Sequence, residues 1–214
     1  NNEFDLKEFL KFANILADKS EKVLEKYFRG NFDVEKKNDD SPVTIADKKC
    51  EEIIRKNIIK YYPSHNIIGE EFANQNNEKK FTWVIDPIDG TRSFIAGHKD
   101  FGTLISLLHN DEPILGIINC PAHNERWIGL KNQPTTLNGN TIKTSDIEKL
   151  TDSYIFTSGI YFEDKMFRTS FDKIIGKTKY YRFGGDCYMY GMLATGLIDI
   201  VFEDTLKIWD YMAL

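Results

Sequence analysis

Two aspartates lie three residues apart in the stretch F-T-W-V-I-D-P-I-D-G-T, residues 81–91. Pro87 restricts the residue before it to extended conformations, so the apolar run is predicted to be a strand that ends at Asp86. Gly90 permits a sharp turn, and the N–H groups of Gly90 and Thr91 can then bind an anion. Mg²⁺ is usually held by one or two carboxylates together with phosphate oxygens of a substrate. The stretch therefore predicts a metal and phosphate site, and a simple turn is the alternative.

Further acidic residues lie in three other short motifs. Glu70 and Glu71 follow an apolar strand in I-I-G-E-E-F, where an acidic surface loop is the alternative. Asp47 lies three residues after Thr44 in T-I-A-D, a spacing that also predicts a capping box at a helix start. Asp210 follows Trp209 at a predicted helix start, where an N-cap is the alternative. Together with the 81–91 stretch, they predict a cluster of hard oxygen ligands.

The elements that must position these residues alternate between helical and extended patterns. Apolar spacing and turn residues predict helices near 4–28, 43–61, 163–175 and 186–195, and a first helical turn in I-W-D-Y-M-A-L. Strands are predicted near 31–37, 66–68, 81–86, 101–108, 114–119, 125–130, 153–158, 179–183 and 197–203, with a turn at 137–139. Helices that flank a mixed sheet predict one layered α/β domain over residues 1–214.

The composition excludes several classes of protein. The 214 residues are 41% hydrophobic and 29% charged, which is typical of a globular protein. A formal net charge of −5 gives no electrostatic basis for binding nucleic acid or an anionic membrane. No apolar run reaches the ~18 residues that span a bilayer, and the first residues lack the features of a signal peptide. Three scattered cysteines predict small core residues in a reducing, cytoplasmic environment.

The motifs carry a resemblance when they are taken in order. S-P-V-T-I-A-D, I-I-G-E-E-F, W-V-I-D-P-I-D-G-T-R-S-F-I-A-G, G-G-D with A-T-G-L-I-D, and I-W-D are similar to the signatures of the inositol monophosphatase superfamily. The resemblance implies a Mg²⁺-dependent, lithium-sensitive phosphomonoesterase with an α-β-α-β-α architecture, active with two to three Mg²⁺ ions or with Mn²⁺, and dimeric. Members normally continue past the W-D motif, so the fold is expected to be C-terminally incomplete.

The resemblance also assigns metal ligands. The first ion would be held by Glu70, Asp86 and the backbone carbonyl of Ile88. The second would be held by Asp86, Asp89 and Asp210, and a third, weaker ion by Glu70 and Asp47, partly through water.

The remaining catalytic roles follow from the same motifs. Gly90 and Thr91 would cradle the phosphate, and Thr91 and Asp47 would orient and help deprotonate the attacking water. Two cations ~4 Å apart can lower the pKa of a water and stabilise the departing alkoxide, so no side-chain nucleophile is required.

The substrate is predicted from a branch of the superfamily. D-P-I-D-G-T-R-S-F-I-A-G-H-K-D-F-G-T-L-I-S-L-L and R-F-G-G-D-C-Y-M-Y resemble bacterial histidinol-phosphate phosphatases, enzymes of histidine biosynthesis. Histidinol phosphate is cationic at one end, and Asp186 and Glu203 are the predicted acids for that end. Arg92 would support the phosphate or fix Asp186. The alternatives are a helix-capping role for Asp186 and a surface ion pair for Arg92.

Two other functions stay open at this point. A phosphatase for inositol 1-phosphate or for a 3′(2′),5′-bisphosphate nucleotide would use the same metal ligands with a different pocket. If Asp210 were loosely held near the end of the chain, the protein would instead be a catalytically poor phosphate- or metal-binding homologue.

Overall fold

The structure is a computed structural model that describes residues 4–37, 40–77, 80–159 and 162–214. The α-helices of these residues are α1 Leu6–Tyr27, α2 Ile45–Tyr61, α3 Thr91–Ile95, α4 Lys165–Ile175, α5 Asp186–Ala194 and α6 Ile208–Tyr211. The strands are β1 Val34–Lys36, β2 Pro42–Thr44, β3 Asn66–Gly69, β4 Phe81–Asp89, β5 Gly102–His109, β6 Glu112–Cys120, β7 Glu125–Leu130, β8 Thr136–Leu137, β9 Asn140–Thr141, β10 Tyr154–Thr157, β11 Tyr180–Phe183 and β12 Ile200–Val201. Short 3₁₀ helices cover Pro121–His123 and Leu150–Asp152.

The larger sheet has seven strands in the order β3-β4-β5-β6-β7-β8-β9. The pair β3 and β4 is parallel, and the other neighbours are antiparallel. The apolar face of α1, which includes Phe9, Phe12 and Leu16, is buried in the main core with α2 and strands β4 to β6. These two helices therefore form a layer against the larger sheet.

The smaller sheet is parallel, with the order β11-β10-β12. The connection through α4 runs from the central strand β10 to the edge strand β11. The connection through α5 then crosses the sheet in the opposite direction, from β11 to the other edge strand, β12. Because such crossovers are right-handed, the two helices lie on opposite faces of this sheet. Contacts from α5 to β5, β6 and β12 place it between the two sheets. The predicted α-β-α-β-α layering is therefore confirmed.

Several predicted boundaries were wrong. The strand predicted at 81–86 continues to Asp89, since Pro87 lies within the strand at an irregularity of the pairing with β5. The helix α3 and the short strand β2 were missed, and the strand predicted at 197–203 is only Ile200–Val201. The turn predicted at 137–139 joins β8 to β9.

The last helix is anchored on the larger sheet. Residues of α6 pack against β4, and the chain just after it crosses β6, where a side chain on Gly116 would collide with the carbonyl of Ala213. Asp210 is therefore held against the larger sheet, unlike the alternative in which it was loosely held near the end of the chain.

A buried histidine lies among the aromatic residues beneath α1. His65 stacks between Tyr62 and Phe81, and its Nδ1 accepts a hydrogen bond of 3.1 Å from the indole N–H of Trp83. Burial lowers the pKa of His65 to about 4.

Within the described residues, no helix has the length and apolarity that a membrane span requires.

Candidate active site

Three carboxylates meet where β4 ends. Asp86 and Asp89 come from β4 and Asp210 from α6, and one oxygen of each lies within 4.8 Å of the others. Residues three apart on a regular strand face opposite sides of the sheet. Here Asp86 pairs with Leu104 and Asp89 with Gly102, so β4 has one residue more than β5 over this interval. This bulge turns both carboxylates to the same side.

The cluster is electrostatically costly without a cation. Asp86 is 3% exposed, and its Oδ1 is buried with no hydrogen-bond partner among the described residues. Burial, followed by the charges of Glu70, Asp89 and Asp210, raises the pKa of Asp86 well above its usual range. Burial and the charges of Asp186 and Asp210 raise the pKa of Asp89 to about 8. A divalent cation would relieve this repulsion and use the orphaned oxygen, so these residues fit Mg²⁺.

Glu70 reaches the cluster from the neighbouring strand. It follows Gly69 at the end of β3, which is parallel to β4, and it lines the same cavity as Asp86 and Asp89. The ammonium group of Lys37 lies 2.6 Å from Glu70 Oε1 and 2.7 Å from Glu71 Oε1. The position beside Glu70 therefore accepts a positive charge. No local sequence pattern indicates the contact of Lys37 with these two glutamates.

Asp47 uses its two oxygens for different contacts. Oδ2 accepts hydrogen bonds from the backbone N–H of Thr44 at 2.7 Å and from its hydroxyl at 2.5 Å, which completes the predicted capping box of α2. Oδ1 lies 3.2 Å from the hydroxyl of Thr91, which is also 3.0 Å from the carbonyl oxygen of Ile88. Burial raises the pKa of Asp47. The capping alternative is thus present, together with a contact to Thr91.

Gly90 is the turn residue between the carboxylates and α3. Its φ of 84° lies in the left-handed region, as predicted for the sharp turn. A Cβ at this position would lie 2.9 Å from the carbonyl oxygen of Asp100 and 3.0 Å from the side chain of Asp186. Gly90 and Thr91 both line the cavity that contains the carboxylates. Only glycine allows this close approach.

Two further carboxylates line the same cavity, whose volume is about 190 Å³. Asp186 Oδ2 accepts a hydrogen bond of 2.5 Å from the hydroxyl of Ser93. The two oxygens of Glu203 accept hydrogen bonds from the backbone N–H and the hydroxyl of Ser158. Burial raises the pKa of both acids. The cavity thus contains the cluster of Asp86, Asp89 and Asp210 and, in addition, the two carboxylates of Asp186 and Glu203.

The structure decides between several alternatives. The N-cap of α5 is Gly185, with no side-chain cap bond, so the capping alternative for Asp186 was wrong. Asp210 Oδ2 accepts the N–H of Lys207 at 2.6 Å, so Asp210 helps to cap α6 in addition to joining the cluster. Arg92 is exposed and is not among the described residues that line the cavity, and the hydroxyl of Ser93 donates to Asp186.

Sequence reasoning missed other residues of the cavity. Ser158, Met189, Tyr190 and Leu206 line it. Met189 and Tyr190 end the stretch R-F-G-G-D-C-Y-M-Y, whereas Ser158 and Leu206 lie outside all of the motifs. For Ser93 a signal existed, because it lies two residues after Thr91 in the D-G-T-R-S motif. Ser158 meets Glu203 across 45 positions, and no local pattern indicates that contact.

Comparison with known proteins identifies the family of this chain. A model of the inositol monophosphatase family matches residues 5–214. The chain belongs to this family. Relatives in this family include phosphatases named for different substrates.

Three relatives show the range of this phosphatase family. The bifunctional phosphatase IMPL2 of Arabidopsis thaliana, a chloroplastic protein, is 43% identical over 98% of this chain, which spans 61% of that protein's length. A histidinol-phosphatase of Chlorobaculum parvum is 34% identical over 96% of this chain and 80% of its own length. An inositol monophosphatase structure from Zymomonas mobilis has a TM-score of 0.87 at 38% identity, and covers 99% of this chain and 82% of its own.

Proposed function

We propose that this protein is a Mg²⁺-dependent phosphomonoesterase with histidinol phosphate as its preferred substrate. The observation that carries the metal dependence is the convergence of Asp86, Asp89 and Asp210, with one buried oxygen of Asp86 lacking a hydrogen-bond partner. Glu70 and the carbonyl of Ile88 complete the proposed ligands. When bound, Mg²⁺ lowers the pKa of a water and stabilises the leaving oxygen.

The proposed base is Asp47, acting through Thr91. The hydroxyl of Thr91 lies between Asp47 Oδ1 and the cavity, so it can pass a proton from a water molecule to that carboxylate. Burial raises the pKa of Asp47, which makes it a better proton acceptor than an ordinary aspartate. Hydrogen bonds from Thr44 hold the other oxygen and fix the direction of Oδ1. Gly90 and Thr91 would bind the phosphate.

The acidic lining supports the choice of substrate. Asp186 and Glu203 lie in the same cavity as the metal cluster, and each is oriented by a serine. Histidinol carries an amine and an imidazole, whereas inositol is a neutral polyol. A pocket with two carboxylates therefore favours histidinol phosphate over inositol 1-phosphate. The histidinol-phosphatase of C. parvum among the relatives supports the same choice.

The test is release of inorganic phosphate by the purified protein. Histidinol phosphate, inositol 1-phosphate and adenosine 3′,5′-bisphosphate are compared at one fixed Mg²⁺ concentration and again in EDTA. We expect the highest kcat/KM for histidinol phosphate, no release in EDTA, and recovery when Mg²⁺ is restored. Equal turnover of the three esters would contradict the preference for histidinol phosphate, but it would be compatible with a phosphatase activity. Undiminished release in EDTA, or none with Mg²⁺, would contradict the metal-dependent reaction.

A further inference from the structure

The segment that carries Glu70 is held from one side by α2. Glu51 is fully buried on that helix, and its carboxylate faces the backbone that follows Glu70. Oε2 accepts the N–H of Glu71 at 2.7 Å, and Oε1 accepts the N–H of Phe72 at 3.3 Å. Two successive peptide groups after Glu70 are therefore fixed by one side chain.

Arg55, one helical turn after Glu51, completes this contact. Its Nε donates to Glu51 Oε1 at 2.6 Å, and its Nη2 donates to the carbonyl of Phe72 at 3.1 Å. A side chain on Gly69 would collide with the Glu51 carboxylate and lie 2.9 Å from Arg55 Nη2. The missing side chain thus lets the carboxylate reach the segment. We call Glu51, Arg55 and Gly69 the α2 latch.

The latch is a costly way to achieve packing alone. An ion pair whose carboxylate is fully buried loses much of its hydration, and apolar side chains of similar volume are often equally stabilising. The latch instead fixes the orientation of the segment, because charge-assisted hydrogen bonds hold three backbone groups of Glu71 and Phe72. The residue immediately before those groups is Glu70.

The same helix also carries Asp47, one turn before Glu51. Asp47 contacts Thr91 beside the end of β4, and Glu51 holds the segment after β3. One rigid helix therefore sets the positions of two acids that approach the cavity from different elements.

We propose that Glu51 is a positioning residue for Glu70 and that, through the α2 latch, it sets the Mg²⁺ affinity of the site. This inference rests on the proposed function, since it requires a metal ion at Glu70. Partners that orient metal ligands typically contribute 10–100-fold to metal affinity. Glu51 is not among the described residues that line the cavity, so its effect on the metal site is indirect.

The test is Mg²⁺ binding without substrate, measured by isothermal titration calorimetry on the full chain. Glu51→Gln keeps the size of the side chain but removes its charge and its acceptor for one of the two N–H groups. The matched control is Glu52→Gln, the adjacent residue, which forms an exposed pair with Lys56. We expect Glu51→Gln to weaken Mg²⁺ binding at least tenfold and Glu52→Gln to change it less than twofold.

A second readout separates positioning from damage to the fold. At saturating Mg²⁺, Glu51→Gln should retain the wild-type KM for the phosphate ester, while the Mg²⁺ concentration for half-maximal activity rises. Equal Mg²⁺ affinity in the folded variant and wild type would overturn the role of Glu51. Failure of the wild type itself to bind Mg²⁺ would overturn the proposed function as well. If Glu51→Gln does not fold, Arg55→Lys, which loses the bond to Phe72, provides the same comparison.

Discussion

Replacement of Asp186 tests how the cavity selects its substrate. One oxygen of this carboxylate is held by Ser93, and the side chain packs directly over Gly90, next to the proposed phosphate site. Asp186→Ala removes the charge and the acceptor, whereas Asp186→Asn removes the charge but can still accept the bond from Ser93. The two variants therefore separate electrostatic recognition of the substrate from support of the cavity.

The magnitude follows from the contact that is lost. A charge-assisted hydrogen bond in a partly buried cavity contributes ~1.5–3 kcal/mol, which corresponds to about a ten- to hundredfold change in kcat/KM. We expect Asp186→Ala and Asp186→Asn to lose this factor on histidinol phosphate. Glycerol 2-phosphate, which has a neutral leaving group, should be hydrolysed nearly as fast as by the wild type.

The assay measures kcat/KM for both esters at saturating Mg²⁺. Asp146→Ala is the control, because Asp146 is an exposed carboxylate paired only with Lys143 among the described residues. An equal loss on both esters would refute the reasoning, since Asp186 would then support the cavity rather than bind the cationic end. A loss in Asp186→Ala but not in Asp186→Asn would refute the role of the charge.

Two further predictions concern pH and lithium. The folded pKa of His65 is about 4, against about 6.5 when unfolded, so the unfolded chain takes up the proton first as pH falls. The free energy of unfolding should therefore drop by about 2–3 kcal/mol more in wild type than in His65→Gln between about pH 7.5 and 4.5. Urea titrations at each pH measure the free energy of unfolding. The same pH dependence in the wild type and in His65→Gln would contradict this prediction. Lithium should inhibit in competition with Mg²⁺, because it has a similar size and half the charge; inhibition unaffected by Mg²⁺ concentration would contradict this.

The sequence was most informative at short motifs whose local structure is determined by the residues of the motif themselves. The capping box of Thr44 and Asp47 fixed the start of α2, and Gly90 marked the turn after the aspartates. The alternation of elements predicted a layered α/β domain, and the α-β-α-β-α order was implied by the family resemblance. The bulge in β4 was not predictable, because Pro87 indicates a strand end locally and only the pairing with β5 shows that the strand continues.

Contacts between distant residues account for what sequence reasoning missed. The bond from Ser93 to Asp186 spans 93 positions, and the bond from the Glu71 N–H to Glu51 spans 20. No local sequence pattern around Ser93 or Glu51 indicates which residue it contacts. Arg92 was the predicted partner of Asp186 because of its charge, yet its side chain is exposed and the hydroxyl of the next residue, Ser93, donates to Asp186.

The most direct test of the proposed mechanism is the rate of phosphate release by Asp86→Asn at saturating Mg²⁺, compared with the wild type. Asp86 is shared by the proposed ligand sets and has a buried oxygen with no partner among the described residues. Asn is similar in size, so circular dichroism should show an unchanged fold. We expect the turnover to fall by at least a hundredfold, about 3 kcal/mol in the activation free energy. Retention of more than a tenth of the wild-type rate would contradict the metal-dependent mechanism.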